Sequence, residues 1–271
     1  MRRLKRLLEL LFKLIYYNTL ALYNLKNKKL TKKNLSLKNK FEGERLFLVM
    51  TGQSVDHCDL KALRNEYVMG VNFMMLHKDF RSSGCNFYAM SSTWNSFTEQ
   101  LCNWIITNVY KNANENCLVF LNSTAHNWVK KNQRYIEDNT FFVSHDAFCE
   151  GGEIPYCGLS HKYKGSFPFS IGIAIELGFK EIYLIGADYC KTPKMIGHFY
   201  SPENEVHEQS QEYLNLQFEL DEYARYKEVK IYNVVDDGFL SPVFEAVCQT
   251  DLKIILEKSF SQPSPSDGSG D

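Results

Sequence analysis

Short apolar runs, each followed by a longer segment of mixed polarity, recur along the chain from Arg45 onward. This alternation is expected of β-α units around a parallel sheet. The predicted strands are Leu46–Thr51, Tyr67–Asn72, Asn86–Met90, Cys117–Leu121, Glu181–Gly186 and Val229–Asn233. The predicted helices are Trp94–Lys111, Ser166–Leu177, Asn204–Tyr226 and Ser241–Lys258. The sequence therefore predicts an α/β, Rossmann-like fold: a mostly parallel sheet flanked by helices.

Three segments differ in composition. With 271 residues, 44% of them hydrophobic, the chain can bury one sizeable core, which predicts a single domain over residues 41–260. Residues 261–271 contain only Ser, Pro, Gly, Asp and Gln, so we expect a disordered tail. Residues 1–40 form a basic segment with its own pattern.

In that basic segment, leucines recur at helical spacing between Leu4 and Ile15, and 12 Lys or Arg residues accompany the single acid Glu9. This pattern predicts an N-terminal amphipathic helix. An uncharged run of about 20 residues, which a spanning helix needs, is missing. The segment either lies on an anionic inner-membrane surface or docks on its own domain or a partner. The first alternative predicts a cytoplasmic protein peripherally associated with the inner membrane.

Charge and cysteine usage exclude several classes. The formal net charge is only -1, so the part after residue 40 is net acidic and is a poor nucleic-acid-binding surface. The eight cysteines include no C-x-x-C pair, which favours a reduced, cytosolic setting without a structural zinc site. No H-E-x-x-H, P-loop or G-x-S-x-G motif occurs, which disfavours zinc hydrolysis, P-loop phosphotransfer and a serine hydrolase.

Polar residues follow the predicted strands at positions where open α/β sheets bind ligands. The first strand runs into the turn Gly52-Gln53-Ser54, which either cradles a phosphate or ribose or is an ordinary βα loop. Asp188 follows a later strand and either orients a hydroxyl or loop or caps the next turn. His198, in a predicted loop, is either a general base or a surface histidine. Asp236-Asp237 are metal ligands or turn residues.

Several of these stretches resemble the small bacterial sialyltransferases that use CMP-sialic acid (glycosyltransferase family 42) and the related DUF115 and motility-accessory-factor-like proteins. Residues 173–188, Ile-Ala-Ile-Glu-Leu-Gly-Phe-Lys-Glu-Ile-Tyr-Leu-Ile-Gly-Ala-Asp, look like the family's helix–strand–Asp segment. Thr51-Gly-Gln-Ser54 is similar to its Asn-Gly-Pro-Ser turn, Val71-Asn72-Phe73 to its second-strand Asn, and Ile196-Gly-His198 to its Ile-Gly-His segment. The resemblance covers roughly residues 45–250.

The resemblance implies roles for individual residues. His198 matches the position of the catalytic base. The implied nucleotide- and donor-binding residues are Thr51, Gly52, Gln53, Ser54, Asn72, Ser166, Asp188, Tyr189 and Tyr200. Thr51 stands where the family has Asn, Met90 falls near another nucleotide-contacting Asn, and Asp188-Tyr189-Cys190 replaces Asp-Phe-Tyr. These departures leave Tyr189, Tyr200 or Lys191 to neutralise the leaving phosphate.

The implied activity is inverting transfer of a sugar, sialic acid or a related nonulosonic acid, from a CMP-activated donor to a glycan or lipid-linked glycan acceptor in surface polysaccharide or lipooligosaccharide synthesis. We expect no metal, since one phosphate with a single charge can be stabilised by hydrogen bonds. Association of the chain with copies of itself, as a homo-oligomer, is also among the expectations. Two alternatives stay open: a pterin-type diphosphokinase using ATP and magnesium with Asp188, Asp236 and Asp237, and a non-catalytic nucleotide- or glycan-binding subunit.

Overall fold

A computed structural model shows one eight-stranded sheet in which every neighbouring pair of strands is parallel. It describes residues 30–91, 99–131, 138–143, 165–192, 197–201 and 227–259, together with 218, 220–222 and 224–225. The strands are β1 (Arg45–Val49), β2 (Tyr67–Val71), β3 (Phe87–Met90), β4 (Leu118–Asn122), β5 (Thr140–Val143), β6 (Glu181–Ile185), β7 (Lys230–Val235) and β8 (Glu245–Cys248). The α/β, Rossmann-like prediction is confirmed.

The order of the strands reverses at β1. Across the sheet the order is β5-β4-β3-β2-β1-β6-β7-β8, so the chain builds outward from β1 in one direction and then returns to its other side at β6. Open α/β sheets bind ligands at such a switch point, outside the carboxyl ends of the strands. A ligand-binding site is therefore expected at the loops that leave β1 and β6.

Both faces of the sheet are covered, which explains why the strands are continuous apolar runs. Leu46 and Leu48 of β1 pack into one hydrophobic cluster, whereas Phe47 and Val49 pack into a second cluster on the other face. All four side chains are buried. Parallel sheets with helices on both faces need this composition, because neither side of the strand meets water.

Four α-helices are described: α1 (Glu99–Asn112), α2 (His126–Lys131), α3 (Ser166–Leu177) and α4 (Gln249–Ser259). Residues Phe167 to Leu177 of α3 are all buried, as expected for a helix that is hydrophobic on every side. Helix α3 ends at Gly178, which takes a left-handed conformation with φ of 102°. This turn returns the chain to β6, so α3 begins at the carboxyl edge of the sheet.

The described end of the basic segment docks on the edge of the sheet. Lys33 Nζ donates to the carbonyl oxygens of Asp138 and Thr140, and Asn34 Nδ2 donates to that of Phe142. These bonds satisfy backbone groups on the outer edge of β5, which lessens its tendency to pair with another chain. Residues 30–40 thus pack against the domain. In the part of the chain that the structure describes, no helix has the length and apolarity to cross a membrane.

Three details of the predicted elements need correction. The predicted helix Ser241–Lys258 is wrong in its first part, because Glu245–Cys248 pairs with β7 as β8 and the helix starts only at Gln249. Pairing with a neighbouring strand has overridden the local pattern there. Strand β5 and helix α2 were not predicted. The start of the predicted helix at Trp94, most of Asn204–Tyr226, residues 1–29 and the tail 261–271 lie outside the described residues.

Candidate active site

The turns after β1 and β6 touch through backbone atoms at the switch point. The N–H of Gly52 donates to the carbonyl oxygen of Gly186 over 2.9 Å. A Cβ atom on Gly52 would lie 2.3 Å from that oxygen and 2.6 Å from Oδ2 of Asp188. Contacts this short are excluded for real Cβ atoms, so glycine is required here by packing of the protein against itself.

Asp188 binds the glycine turn from the end of β6. Its carboxylate, only 2% exposed, accepts hydrogen bonds from the backbone N–H of Ser54 over 2.8 Å and from the Ser54 hydroxyl. Of the two alternatives that the sequence left for Asp188, the geometry matches the first, because its carboxylate orients the Ser54 hydroxyl and the loop after β1. Asp188 thereby links the 3₁₀ helix Gln53–His57 to the 3₁₀ helix Asp188–Cys190.

Lys191 supplies the opposite charge to this buried carboxylate. Its ammonium group is fully buried, lies 3.0 Å from Oδ1 of Asp188, and donates to Oγ of Ser54 over 2.7 Å. Oδ2 of Asp236 lies 3.8 Å away. The pairing satisfies charges that would be costly to bury alone. Lys191 therefore faces Ser54 and two carboxylates, and these contacts do not direct it toward a leaving phosphate.

The outer end of this network reaches β7 and the neighbouring loops. His57 Nδ1 lies 3.2 Å from Asp236, and Gln249 also donates to the Asp236 carboxylate. Close by, burial raises the pKa of the Cys58 thiol to about 12, so it stays a neutral thiol. Among the described residues, no group of three or more His, Cys, Asp or Glu side chains could hold a metal ion.

A second polar group lies at the ends of β2 and β3 and at the start of α3. Asn72 adopts a left-handed conformation with φ of 47°, which asparagine tolerates better than most residues. Its Nδ2 donates to Oγ of Ser166 over 2.5 Å, and that oxygen lies 2.9 Å from Oγ of Ser91. The Oδ1 atom of Asn72 is buried without a hydrogen-bond partner among the described residues. A buried acceptor in this state is suited to a donor group on a ligand.

Ser166 is also the first residue of α3. The residue before it, Gly165, makes no side-chain cap, so the first-turn N–H groups are not capped by that residue. Because the helix dipole is positive at this end, such an N-terminus favours negatively charged groups. Asn72, Ser91 and Ser166 thus surround the end of a helix that is electrostatically suited to a phosphate.

His198 joins the end of β1 from a distant part of the chain. Its Nδ1 lies 2.9 Å from Oγ1 of Thr51, and the next residue, Phe199, donates its N–H to the Thr51 carbonyl oxygen over 3.0 Å. Tyr200 stacks on the imidazole with centroids 4.9 Å apart and ring planes 12° apart. His198 is exposed, so the ring is held on one side and open to solvent on another.

The His198–Thr51 pair and the Asn72–Ser166 pair are connected through an aromatic contact. Phe73, which follows Asn72, packs against Tyr200 with centroids 5.3 Å apart. The structure thus brings His198, Thr51 and Tyr200 together beside the pair Asn72–Ser166, whereas Gly52 and Ser54 follow Thr51 in the turn that contacts Gly186 and Asp188. The remaining predicted residues differ: Tyr189 packs edge-on against Phe167 and its hydroxyl lies 3.7 Å from Sδ of Met50, and Gln53 is half-buried in its 3₁₀ helix.

His77 supports this arrangement and was not singled out from the sequence. Its ring packs edge-on against Phe199 with centroids 5.3 Å apart. Nε2 lies 3.1 Å from Asp56, and Nδ1 accepts the N–H of Asp79 over 3.1 Å. Because Nδ1 accepts the N–H of Asp79, the neutral ring carries its proton on Nε2 and donates it to Asp56; burial lowers the pKa of His77. No sequence motif marks this residue, because its role depends on contacts from three separate segments.

Comparison with known proteins gave matches in structure only. No protein-family model and no curated protein matches the chain. The structure is similar to that of the sialyltransferase CstII from Campylobacter jejuni in complex with cytidine-5'-monophosphate, with a TM-score of 0.42 and 19% identity over 71% of this chain and 80% of that one. It is also similar to the monofunctional alpha-2,3-sialyltransferase Cst-I from the same organism, with a TM-score of 0.45 and 15% identity over 77% of this chain and 82% of that one.

Proposed function

We propose that this chain is an inverting glycosyltransferase that moves a sialic or related nonulosonic acid from a CMP-activated donor to a glycan acceptor. The observation that carries the proposal is the hydrogen bond between Thr51 and His198. It brings a histidine, the side chain most often used as a general base, to the carboxyl edge of the sheet beside the switch point. The resemblance in the Ile-Gly-His segment assigns the same role to the same residue.

The donor nucleotide is proposed to bind between the glycine turn and the start of α3. The phosphate lies at the N-terminus of α3, where backbone N–H groups and the Ser166 hydroxyl stabilise its charge. Oδ1 of Asn72, which is buried and unpaired among the described residues, accepts a hydrogen bond from the donor nucleotide. The turn from Gly52 to Ser54 forms the adjoining wall, and its shape is held by Asp188 and Lys191.

The proposed reaction is a single displacement. The acceptor hydroxyl attacks the anomeric carbon from the side opposite the phosphate, and His198 removes the proton from that hydroxyl through Nε2. A new bond forms between the acceptor oxygen and the anomeric carbon, while the bond from that carbon to the phosphate oxygen breaks. The electron pair of the broken bond leaves with CMP, whose phosphate is stabilised by hydrogen bonds.

The carboxylates fit the diphosphokinase alternative less well. A magnesium-dependent transfer of diphosphate would need several open carboxylates, and the sequence offered Asp188, Asp236 and Asp237. Asp188 is buried against Ser54 and Lys191, and Asp236 lies beside the same ammonium. We therefore propose a metal-independent transferase. Its activity should be unchanged by EDTA, whereas a loss of activity that magnesium restores would contradict metal independence.

A panel of nucleotides tests the proposed function. CMP, UDP, GDP and ATP, each with and without magnesium, are added to the wild type and to His198→Ala while thermal unfolding is followed. CMP at about 100 times its Kd should add about 2.7 kcal/mol of stability to both proteins. Transfer from a CMP-activated sugar should occur with the wild type alone. Stabilisation by ATP and magnesium only would overturn the proposal, and CMP binding without transfer to any acceptor would favour a binding subunit.

Peripheral association with the inner membrane is also proposed, and it rests on the basic amphipathic pattern of residues 1–29. The structure refines the deletion that tests it, since Lys33 and Asn34 bind the edge of β5. Removing residues 2–29 while keeping 30–40 should leave the fold intact and abolish binding to vesicles that contain anionic lipid. Unchanged binding would contradict the proposal. A full-length variant with the leucines retained and five of the Lys or Arg residues replaced by Gln tests the contribution of the charges separately from that of the apolar face.

A further inference from the structure

Tyr88 places a buried phenol beneath the candidate donor site. It lies on β3, its side chain is only 1% exposed, and its hydroxyl donates to the carbonyl oxygen of Asn72. The direction of this hydrogen bond follows from the groups themselves, because a carbonyl oxygen can only accept. Sδ of Met75 lies 3.5 Å from the same hydroxyl, but a thioether is the weaker acceptor. Burial raises the pKa of Tyr88 well above the usual value for tyrosine, so the phenol keeps the proton that it donates.

Strand β3 holds both backbone polar groups of Asn72. The N–H of Asn72 donates to the carbonyl oxygen of Ala89 over 3.2 Å, and the carbonyl oxygen of Asn72 accepts from Tyr88, the residue before Ala89. Asn72 is also the point where the chain leaves β2, in a left-handed conformation with φ of 47°. Most residues other than glycine avoid this conformation. Two hydrogen bonds to adjacent residues of one rigid strand therefore fix a turn that the backbone would not favour by itself.

The ring of Tyr88 is confined by its neighbours. Gly70 lies opposite Tyr88 in the pairing of β2 with β3, and a Cβ atom at this glycine would lie 3.2 Å from Cδ2 and Cε2 of the ring. Phe80 packs edge-on against the same ring, with centroids 5.9 Å apart. A glycine in the middle of a buried strand thus makes room for the ring, and the packing carries the hydroxyl to one place, the carbonyl oxygen of Asn72.

We infer that Tyr88 is a positioning residue of the donor site, which holds Asn72 in the left-handed turn that directs the Asn72 amide toward Ser166. In this turn Nδ2 of Asn72 donates to Ser166 over 2.5 Å, and Oδ1 is buried and unpaired among the described residues. The same turn places the next residue, Phe73, against Tyr200. Tyr88 is too deeply buried to contact the nucleotide itself, so it acts through Asn72. The inference rests on the proposed function, because it concerns how the nucleotide site is held.

The conformation of Asn72 can be measured without any assay of activity. In NMR spectra, the one-bond coupling between Cα and Hα distinguishes positive from negative φ. We expect a positive φ at Asn72 in the wild type. Tyr88→Phe keeps the ring but leaves a buried carbonyl oxygen without its donor, which is costly, so the coupling should shift toward that of a negative φ. The matched control is Tyr183→Phe, which removes the hydroxyl of another buried tyrosine, 3.3 Å from Glu181, and should leave the coupling unchanged. A negative φ in the wild type, or an unchanged coupling in Tyr88→Phe, would overturn the inference.

If Tyr88→Phe does not fold, the wild-type protein supplies the test. The hydroxyl proton of a buried, hydrogen-bonded tyrosine exchanges slowly with water and can be observed directly by NMR. The proton of Tyr88, identified by its nuclear Overhauser effects to the protons of its own ring, should also show an effect to the amide proton of Phe73, which follows the carbonyl group of Asn72. A hydroxyl proton that exchanges rapidly or lacks this contact would overturn the inference.

Affinity for CMP separates positioning from a purely structural role. At a temperature where every variant is folded, Tyr88→Phe should bind CMP about 3- to 10-fold more weakly, the range expected for the loss of one hydrogen bond, and Tyr183→Phe should bind it like the wild type. Adding Tyr88→Phe to Asn72→Ala should weaken binding no further, because the side chain that Tyr88 positions is already absent. Equal losses with and without the Asn72 side chain would overturn the inference. If Asn72→Ala binds CMP like the wild type, the proposed donor site fails, while the coupling at Asn72 still decides whether Tyr88 holds the turn.

Discussion

The N–H of Gly52 donates to the carbonyl oxygen of Gly186 across 2.9 Å, and this bond continues the pairing of β1 with β6 into the turns beyond them. The two turns that carry Ser54 and Asp188 are therefore held at a fixed separation. The ligand-binding edge at the switch point is built on backbone contacts rather than on flexible side chains. This explains why a glycine is needed where the conformation itself would not require one.

The first prediction concerns Gly52→Ala. The backbone of Gly52 has φ of -64°, which alanine adopts freely, so any effect comes from the Cβ atom that would lie 2.3 Å from the Gly186 oxygen. We expect a loss of about 3 kcal/mol in the free energy of unfolding. Urea denaturation measures it. A matched control is Gly43→Ala, where φ is 85° and nothing lies within 4 Å; it should lose about 1–2 kcal/mol through backbone strain alone.

The second prediction concerns the buried ion pair. Lys191→Met should reduce the free energy of unfolding by about 3–5 kcal/mol, because it leaves the carboxylate of Asp188 buried without its cation. Adding Asp188→Asn to that variant should recover part of the loss. Lys61→Met is the control: its ammonium, on a side chain that is 64% exposed, lies 3.3 Å from Asp79, and its removal should cost less than about 1 kcal/mol. Equal effects of the two lysine variants would contradict the buried network.

The third prediction is a dependence of stability on pH through His77. Burial lowers its pKa in the folded protein, so the unfolded chain, with a histidine pKa of about 6.5, binds a proton first as pH falls. Stability contributed by the neutral ring is present above pH 6.5 and is lost as pH drops toward the folded pKa. The unfolding free energy of the wild type should therefore fall between pH 7.5 and 5.5. His77→Gln should show a smaller fall over the same interval; an equal or steeper one would assign the effect to other groups.

The fourth prediction tests the donor site through Asn72. Asn72→Ala removes both the bond to Ser166 and the unpaired Oδ1, and we expect CMP to bind about 10-fold more weakly. Asn72→Asp keeps an acceptor and tolerates the left-handed backbone, but its charge should repel a phosphate at the start of α3 and weaken binding further. Isothermal titration calorimetry gives both values. Asn108→Ala removes a half-buried side chain that bonds the Trp104 carbonyl oxygen within α1. It should bind CMP like the wild type, and a similar result for Asn72→Asp would argue against a phosphate at the start of α3.

The fold was largely predictable because its strands are buried on both faces. Each predicted strand has a counterpart whose ends differ by at most two residues, and the helix Ser166–Leu177 was predicted with the observed bounds, since Gly165 and Gly178 mark its limits. Strand β5 is a run of four residues, Thr-Phe-Phe-Val. Its β-branched and aromatic composition favours a strand, but a run so short has no distinct periodicity.

The contacts between residues of the site were harder to predict from the sequence than the location of the site. The predicted strand ends placed Ser54 and Asp188 at one edge of the sheet. The sequence around Lys191 indicates only a loop, and a lysine in a loop is usually exposed to solvent. Lys191 is nevertheless fully buried, with Asp188 and Ser54 in contact with its ammonium and Asp236, from the end of β7, 3.8 Å away. The bond between Thr51 and His198 likewise joins segments that no local pattern connects. The roles assigned to the individual site residues stay predictions until the variants are measured.

The position of β1 between β2 and β6 also constrains how the protein is made. As the chain leaves the ribosome, β1 to β5 can assemble together. The second edge of β1 stays unpaired until β6 is synthesised, because Arg45 pairs with Glu181. During that interval the apolar run from Leu46 to Val49 presents an open edge at what will become the centre of the sheet, which is an aggregation hazard. Fragments that end before β6 are therefore unsuitable for expression, and shortened versions of this protein must retain β6.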